Sequence, residues 1–574
     1  MNISKFERKR QENIQRNKDL LAKLNLDSIS SSIKNEIKKS ATPPPSKRSK
    51  PQKRVFTNKE ESIEPTRRSK RIAGIKSETE NPEEYKKLRK EEEEKEKLKR
   101  EVERLKRSKL PGDYALRDLL TDSKGNMIFE DKIIKNEDSK KKTVIKKEEE
   151  EEEEGDDDED LDVILNDDDT ILNVLQSLGH KYDKLSPSDI YEEIKVLKSD
   201  SDIESKRKEF AKLKVYHKFD PLDIKICHNR ITSIYFHPAT KDRIIAAGDT
   251  SGNVGLWAVD ASNENEPAIT ILHGHGRNVS KILTPDSDYQ KIYTSAFDGT
   301  IRSLDLNKMS SNHLLYMKDP YEKGDIEIPI TDFNIPRGNP NQLYITNMDG
   351  QFITHDVREP WKIIKKNLLR LHDKKIGGFS INPNNSNQIA TSSLDRSLRI
   401  WDLRNIGKSI YSDLHEHQNS PHLYGNFTSR LSISTVDWNI NDRLLCNGYD
   451  DTIRIFDMNG ISEWEMDYVI PSKHQVEEGE LPDNINSTIK INHNCQTGRW
   501  VSILKSKWQY SPKDQYSKFI IGNMKRGLDI YNQDGIQLGH LNELCGAVPA
   551  VCTLHPTENW AVGGSASGKL YFYE

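Results

Sequence analysis

Cysteine is scarce in this chain, with five among 574 residues: Cys227, Cys446, Cys495, Cys545 and Cys552. None forms a Cys-x-x-Cys pair, which excludes a disulfide framework and a Cys-ligated structural zinc and points to a reducing compartment. No apolar run is long enough to cross a bilayer, and the charged N-terminus lacks the pattern of a signal peptide, so a soluble intracellular protein is expected. Hydrophobic residues make up only 34% of the chain and charged residues 31%, too poor a mixture for one continuous core. A Gly-rich phosphate loop, a nucleophile elbow and an HExxH motif are all missing. His273-Gly274-His275 and His415-Glu416-His417 have no carboxylate or Cys partner at ligand spacing. No enzyme, cofactor or metal is expected.

The apolar deficit falls in the N-terminal part, where charge is segregated. Residues 1–82 read as a disordered basic tail. Its clusters, Lys47, Arg48, Lys53 and Arg54, then Arg67, Arg68, Lys70 and Arg71, suit a nuclear import signal, although a plain solvated tail would carry them too. Residues 83–107 are strong helix formers with i,i+4 Glu–Lys pairs and read as a charged helix. Residues 108–169 read as a linker; it contains a candidate docking peptide from Leu110 to Phe129 and the acidic block Glu148–Asp160. Residues 170–213 read as a helical lead-in, with helices at Leu172–Leu178 and Ile190–Leu213.

From residue 214 to 574 one pattern recurs seven times. Its clearest copy is Ser392-Ser393-Leu394-Asp395-Arg396-Ser397-Leu398-Arg399-Ile400-Trp401-Asp402. Looser copies end at Leu256-Trp257, Leu304-Asp305, His355-Asp356, Phe456-Asp457, Ile530-Tyr531 and Tyr573-Glu574. A strand of small residues, an acidic turn and an alternating strand, repeated every ~40–50 residues, is the mark of a β-propeller blade. The fold class expected is therefore all-β, a seven-bladed WD-repeat β-propeller preceded by a largely disordered or helical charged region. The last copy ends without an outermost strand, so Lys214-Val215-Tyr216 or Ile224-Lys225-Ile226 is expected to complete it. Residues Ser472–Asn486 read as an exposed insertion. The turn acids Asp298, Asp349, Asp395 and Asp450, with His273 or His275 and His372, are read as structural hydrogen-bonding groups.

Aligning the copies places cations before the first strand of five blades: Arg230, Arg277, Lys374 with Lys375, Arg430, and Arg499 before Trp500-Val501. Lys525 and Arg526 add two more in the sixth turn. From residue 221 onward 36 Lys and Arg stand against 41 Asp and Glu, so nucleic-acid binding must come from a patch rather than from net charge. Residues preceding the turn acids, among them Phe297 and Tyr449, point to the centre of the same face. An apolar centre ringed by cations suits a charged backbone carrying stackable groups. The segment 415–427 reads as a long loop whose His422, Tyr424 and Phe427 form a candidate wedge, or simply a long surface loop.

Three stretches carry a family resemblance: Pro65-Thr66-Arg67-Arg68-Ser69-Lys70-Arg71-Ile72-Ala73-Gly74, Leu110-Pro111-Gly112-Asp113-Tyr114, and Val562-Gly563-Gly564-Ser565-Ala566-Ser567-Gly568-Lys569-Leu570-Tyr571. They resemble the fungal "changed mutation rate" WD-repeat proteins, relatives of damaged-DNA-binding subunit 2. The resemblance implies a nuclear, non-catalytic DNA-binding protein that prefers UV-damaged duplex and acts in DNA metabolism. Relatives insert a Phe-Gln-His hairpin; this chain has His417-Gln418 and His422 but no such triplet. In the wider family, Trp-Asp-x-Arg motifs on adjacent blades mark docking to a cullin-type ubiquitin ligase adaptor. Here Trp401, Asp402 and Arg404 form one such motif, and Arg358 closes an imperfect copy. The expected partners are duplex DNA, with chromatin or histones and a cullin adaptor as further ones; no membrane is expected, and the protein should be a monomer. The alternative reading is a protein-interaction scaffold, a ligase substrate receptor or a histone-peptide reader.

Overall fold

The computed structural model describes residues 112–122, 125, 127, 171–186, 190 and 203–574, except 262–265, 321–325, 362–364, 413–417 and 473–478. The import clusters, the helix expected at 83–107 and the acidic block lie outside the described residues.

Among the described residues, seven antiparallel meanders follow one another at 231–273, 279–316, 330–370, 376–428, 433–492, 507–541 and 551–573. Their innermost strands are Ile231–Phe236, Val279–Leu283, Ile330–Asn334, Ile376–Asn382, Ile433–Trp438, Lys507–Trp508 and Val551–Leu554. Each abuts the next, and the seventh returns to the first, closing a ring. The meander count is consistent with the seven blades read from the repeats, and every Trp-Asp-like ending falls on a third strand.

Blades stack face to face, so their central strands are buried on both sides. This explains why Ile244–Asp249 and Asn253–Ala258 are buried throughout instead of alternating. Between the first and seventh blades, Phe236, Trp257, Val562 and Phe572 share one apolar cluster. The seventh meander has only three strands of its own. The chain before the first blade supplies the missing edge: Tyr216 N–H donates to Phe572 O at 2.8 Å and Leu570 N–H to Ile224 O at 3.0 Å. Both candidate closing segments thus pair along the last strand, at Val215↔Tyr573 and, one residue before that strand, at Lys225↔Lys569.

Three lead-in elements dock on the ring. Tyr114–Ala115 pairs with Ser310–Tyr316 of the second blade. Leu116, Leu119 and Leu120 then bury beside Leu172, Leu175 and Leu178 of the helix at 171–182. The helix Ile203–Phe210 buries Phe210 against the sixth blade. The insertion expected to be exposed is packed at its end: Ile485 is buried and Asn484 accepts the Asn426 N–H at 2.9 Å. Among the described residues, no helix is long and apolar enough to cross a membrane.

Candidate nucleic-acid interface

One backbone hydrogen bond recurs around the ring and defines a face. The residue that opens the turn between the second and third strands, followed by an acid in four blades and by Ser251 in the first, donates its N–H to the carbonyl just before the inner strand. Thr250 donates to Arg230 at 3.1 Å, Phe297 to Asn278 at 2.9 Å, Met348 to Pro329 at 3.0 Å, Leu394 to Lys375 at 3.1 Å and Tyr449 to Ser432 at 3.0 Å. Turns and strand entrances therefore share one surface. Arg230 and Lys375 stand at the entrance itself, Arg277 and Lys374 one residue earlier and Arg430 two. Arg277, Lys374 and Arg430 are exposed, while Arg230 and Lys375 are half-buried. Arg277 lies 3.4 Å from Glu327, which tempers its charge.

In the sixth blade the expected register is corrected. Trp500-Val501 is not a first strand; that strand is Lys507–Trp508, and Lys505 precedes it. Arg499 and Trp500 instead belong to a loop that reaches the first blade. Arg230 donates from Nη1 to Arg499 O at 2.5 Å, and Ser502 Oγ donates to Ile231 O at 2.5 Å. Trp500 is 84% exposed, the largest exposure among the large apolar side chains described. Sequence reasoning named it only as a neighbour of Arg499, because Val501-Ser502-Ile503-Leu504 alternates as a strand does.

The sixth-blade turn presents Lys525 and Arg526, both exposed. Arg526 occupies the left-handed region at φ 66°, where the equivalent turns of four blades use Gly252, Gly299, Gly350 and Gly568. At Gly252 a Cβ would lie 1.9 Å from the His275 carbonyl, so no side chain fits there. Arg526 bears the left-handed backbone at a cost of about 1–2 kcal/mol. At the centre of the face, the Lys375 ammonium sits 4.8 Å from the Phe297 ring centroid. Tyr449 is half-buried, with its carbonyl held by Gln496 Nε2 at 2.5 Å. An open cleft of about 830 Å³ adjoins it, lined by Arg430, Asp450, Arg454, Lys490, His493 and Gln496.

The expected wedge is overturned. His422, Tyr424 and Phe427 are not on a loop but on the strand Asn419–Thr428, which pairs with Ser397–Lys408. Tyr424 is fully buried, with its hydroxyl on Asp402. Phe427 is half-buried against the core, with the Arg454 guanidinium 5.1 Å from its ring centroid. His422 Nε2 engages Tyr468 O at 2.8 Å. None of the three is free to enter a duplex.

The turn acids and histidines are structural, as their pattern suggested. His275 bonds Thr300 Oγ1 and Thr294 Oγ1, each at 2.8 Å. His372 bonds Asp395 Oδ2 at 2.8 Å and Thr391 Oγ1 at 2.7 Å, and Trp401 Nε1 donates to the same Thr391 at 2.8 Å. Burial opposes ionisation of Asp298, but the His275 ring, the Thr300 hydroxyl and the Gly276 N–H outweigh it and hold its carboxyl down at about 2. Asp349 departs from the pattern: it is exposed, and Asn347 takes the inward place through Gln351 at 2.8 Å.

On the opposite face, the ends of the third strands carry the docking candidates. Trp401 and Asp402 are buried. Arg404 forks onto Asp402, with Nε 3.0 Å from both carboxylate oxygens, and donates to Tyr424 Oη at 3.1 Å. Arg358, paired with Asp356, keeps 67% of its side chain exposed.

Comparison with known proteins follows the same architecture. The WD domain, G-beta repeat family matches residues 364–402 and 420–457. The chain is 53% identical to the DNA damage-binding protein CMR1 of Candida albicans over 100% of both chains. It belongs to the CMR1 family of WD-repeat proteins. The family's member in Debaryomyces hansenii is also 53% identical over 100% of both chains. The Neurospora crassa member is 34% identical, over 99% of this chain and 98% of its own.

Proposed function

We propose that this chain is a non-catalytic nuclear protein that binds duplex DNA, with preference for damaged duplex, through the face carrying the turns and strand entrances. The observation that carries the reading is Trp500, 84% exposed and next to exposed Arg499 on the loop that spans from the sixth to the first blade. An aromatic held out from a cationic surface stacks on or wedges between bases, at least cost where a lesion has already weakened stacking. Arg277, Lys374, Arg430, Lys525 and Arg526 supply phosphate contacts around it. The relatives' names support the same activity, and the basic tail supports nuclear import. Binding of the full chain to intact and UV-irradiated duplexes over a salt series tests this. Tighter binding to irradiated duplex, weakened by Trp500→Ala, is expected; equal affinities would remove the damage preference. Undiminished binding by Arg499→Glu with Lys525→Glu would remove the propeller face.

Docking to a cullin ligase adaptor is a second reading, favoured by one observation. Arg358 lies two residues beyond the third strand Gln351–Asp356 and Arg404 lies within the distal part of the third strand Ser397–Lys408 of the adjacent blade, both opposite the proposed DNA face, so both partners fit at once. Arg358→Ala should abolish adaptor recovery without changing duplex affinity; full recovery would end this reading.

A further inference from the structure

The ring axis is charged. Lys281 on Val279–Leu283, Asp332 on Ile330–Asn334, Asp437 on Ile433–Trp438 and Lys507 on Lys507–Trp508 all stand on innermost strands, with Lys505 two residues before the last. They come from four blades, yet Lys507 feels the charges of Lys281, Asp437, Lys505 and Asp332 together. Only the axis of a closed ring brings such residues within reach of one another. Lys375 stands at the upper mouth, reaching from the fourth blade to Phe297 in a turn of the second. At the lower end Tyr510, following the sixth inner strand, accepts from Arg337 Nε at 3.0 Å and donates to Asp286 Oδ2 at 3.3 Å. Its ring thus meets the second and third blades across the axis.

The anionic side of this cluster is already committed. Asp332 Oδ1 lies 3.1 Å from Lys281 Nζ. Asp437 accepts from Ser380 Oγ at 3.2 Å and from the Trp508 N–H at 2.8 Å. Among the described residues, the side-chain ammonium groups of Lys505 and Lys507 have no hydrogen bond or ion pair. Burial, then the charge of Lys505, pulls the Lys375 ammonium down to about 8, and burial, then the charge of Lys281, pulls Lys507 down to about 8. Four lysines, Lys281, Lys375, Lys505 and Lys507, stand along the axis against two carboxylates, Asp332 and Asp437, so positive charge is enclosed in excess.

We propose that the axial channel binds a compact phosphate-type polyanion, held by Lys375, Lys505 and Lys507 and admitted past Phe297. The three cations are all lysines. A guanidinium fork matches a planar carboxylate in two places, whereas ammonium point charges from several sides suit a tetrahedral oxyanion. The site is separate from the exposed cations of the proposed duplex face and does not depend on that reading.

Titration calorimetry of the full chain with pyrophosphate tests it. Saturable one-to-one binding is expected, weakened roughly tenfold or more by Lys505→Gln or Lys507→Gln, since a charge-assisted contact is worth about 1.5–3 kcal/mol. Lys241→Gln, at an exposed position outside both proposed sites, should leave it unchanged. Without ligand, Lys507→Gln should melt no lower than the parent, and pyrophosphate should no longer raise its melting temperature. No saturable binding, equal weakening by Lys241→Gln, or a lower unliganded melting temperature with pyrophosphate binding intact would each overturn the proposal. A 5′-phosphorylated oligonucleotide that displaces pyrophosphate, when its unphosphorylated counterpart does not, assigns the phosphate to a strand end; no displacement by either assigns it to a free small phosphate.

Discussion

Arg230 holds the carbonyl of Arg499 at 2.5 Å, joining the entrance of the first blade to a loop that belongs to the sixth. The seventh blade lies between them in the ring, so the loop must pass over the face. The second tether, Ser502 Oγ to Ile231 O, fixes both sides of Val501 and leaves the Trp500 ring in solvent. One anchor on the Arg499 carbonyl, one on the Ser502 hydroxyl and none on the ring amount to a presented side chain.

Trp500→Ala should therefore cost duplex binding without costing the fold. Stacking on one base is worth about 1–3 kcal/mol, which predicts a roughly 5- to 150-fold loss in affinity for irradiated duplex. Anisotropy titration measures it, and thermal melting should be unchanged. Equal losses on intact and irradiated duplex would show that Trp500 supports binding without reading the lesion.

The cations make a different prediction. Lys525 and Arg526 have no role in the turn beyond their backbone, where Lys525 N–H donates to Asn523 Oδ1 at 2.8 Å. Lys525→Gln should weaken binding to any duplex alike and lower the slope of log affinity against log salt by about one. A change confined to irradiated duplex would argue against a phosphate contact.

The repeat was legible because an acidic turn between a small-residue strand and an alternating strand can be counted, and a missing edge at Tyr573 had to be filled by chain such as Val215. The sixth blade was not. Its inner strand Lys507–Trp508 has two residues and opens on a lysine, since it faces a charged axis that no linear pattern displays. Asn419–Thr428 looked like a loop because its polar run hides a paired strand. Its register shift opposite Ile400 and Trp401, where Tyr424 is the extra residue between Leu423 and Gly425, breaks the alternation that would have given it away.

Tyr424 yields a test of that correction. Tyr424→Ala should cost about 3–5 kcal/mol in urea denaturation, as expected for a buried aromatic. Tyr424→Phe removes one partner each from Asp402 and Arg404 and should cost about 1–2 kcal/mol. Neither change should alter affinity for irradiated duplex per folded molecule. A tenfold loss for Tyr424→Phe at unchanged stability would return the residue to the interface.

Asp298 sets an acid limit to the fold. Its carboxyl is held at about 2 by His275, Thr300 and Gly276 against the burial that opposes it, whereas an unfolded Asp titrates near 3.9. A native value below the unfolded one means stability that is fully present above about pH 4 and is lost as pH falls through about 2. The difference corresponds to about 2–3 kcal/mol at neutral pH. Asp298→Asn should remove that amount in urea denaturation at pH 7, and the gap between parent and variant should narrow steadily as the pH is lowered from 4 to 2. A gap that stays constant across that window would mean that the shape of the turn, and not the charge of Asp298, supplies the stability.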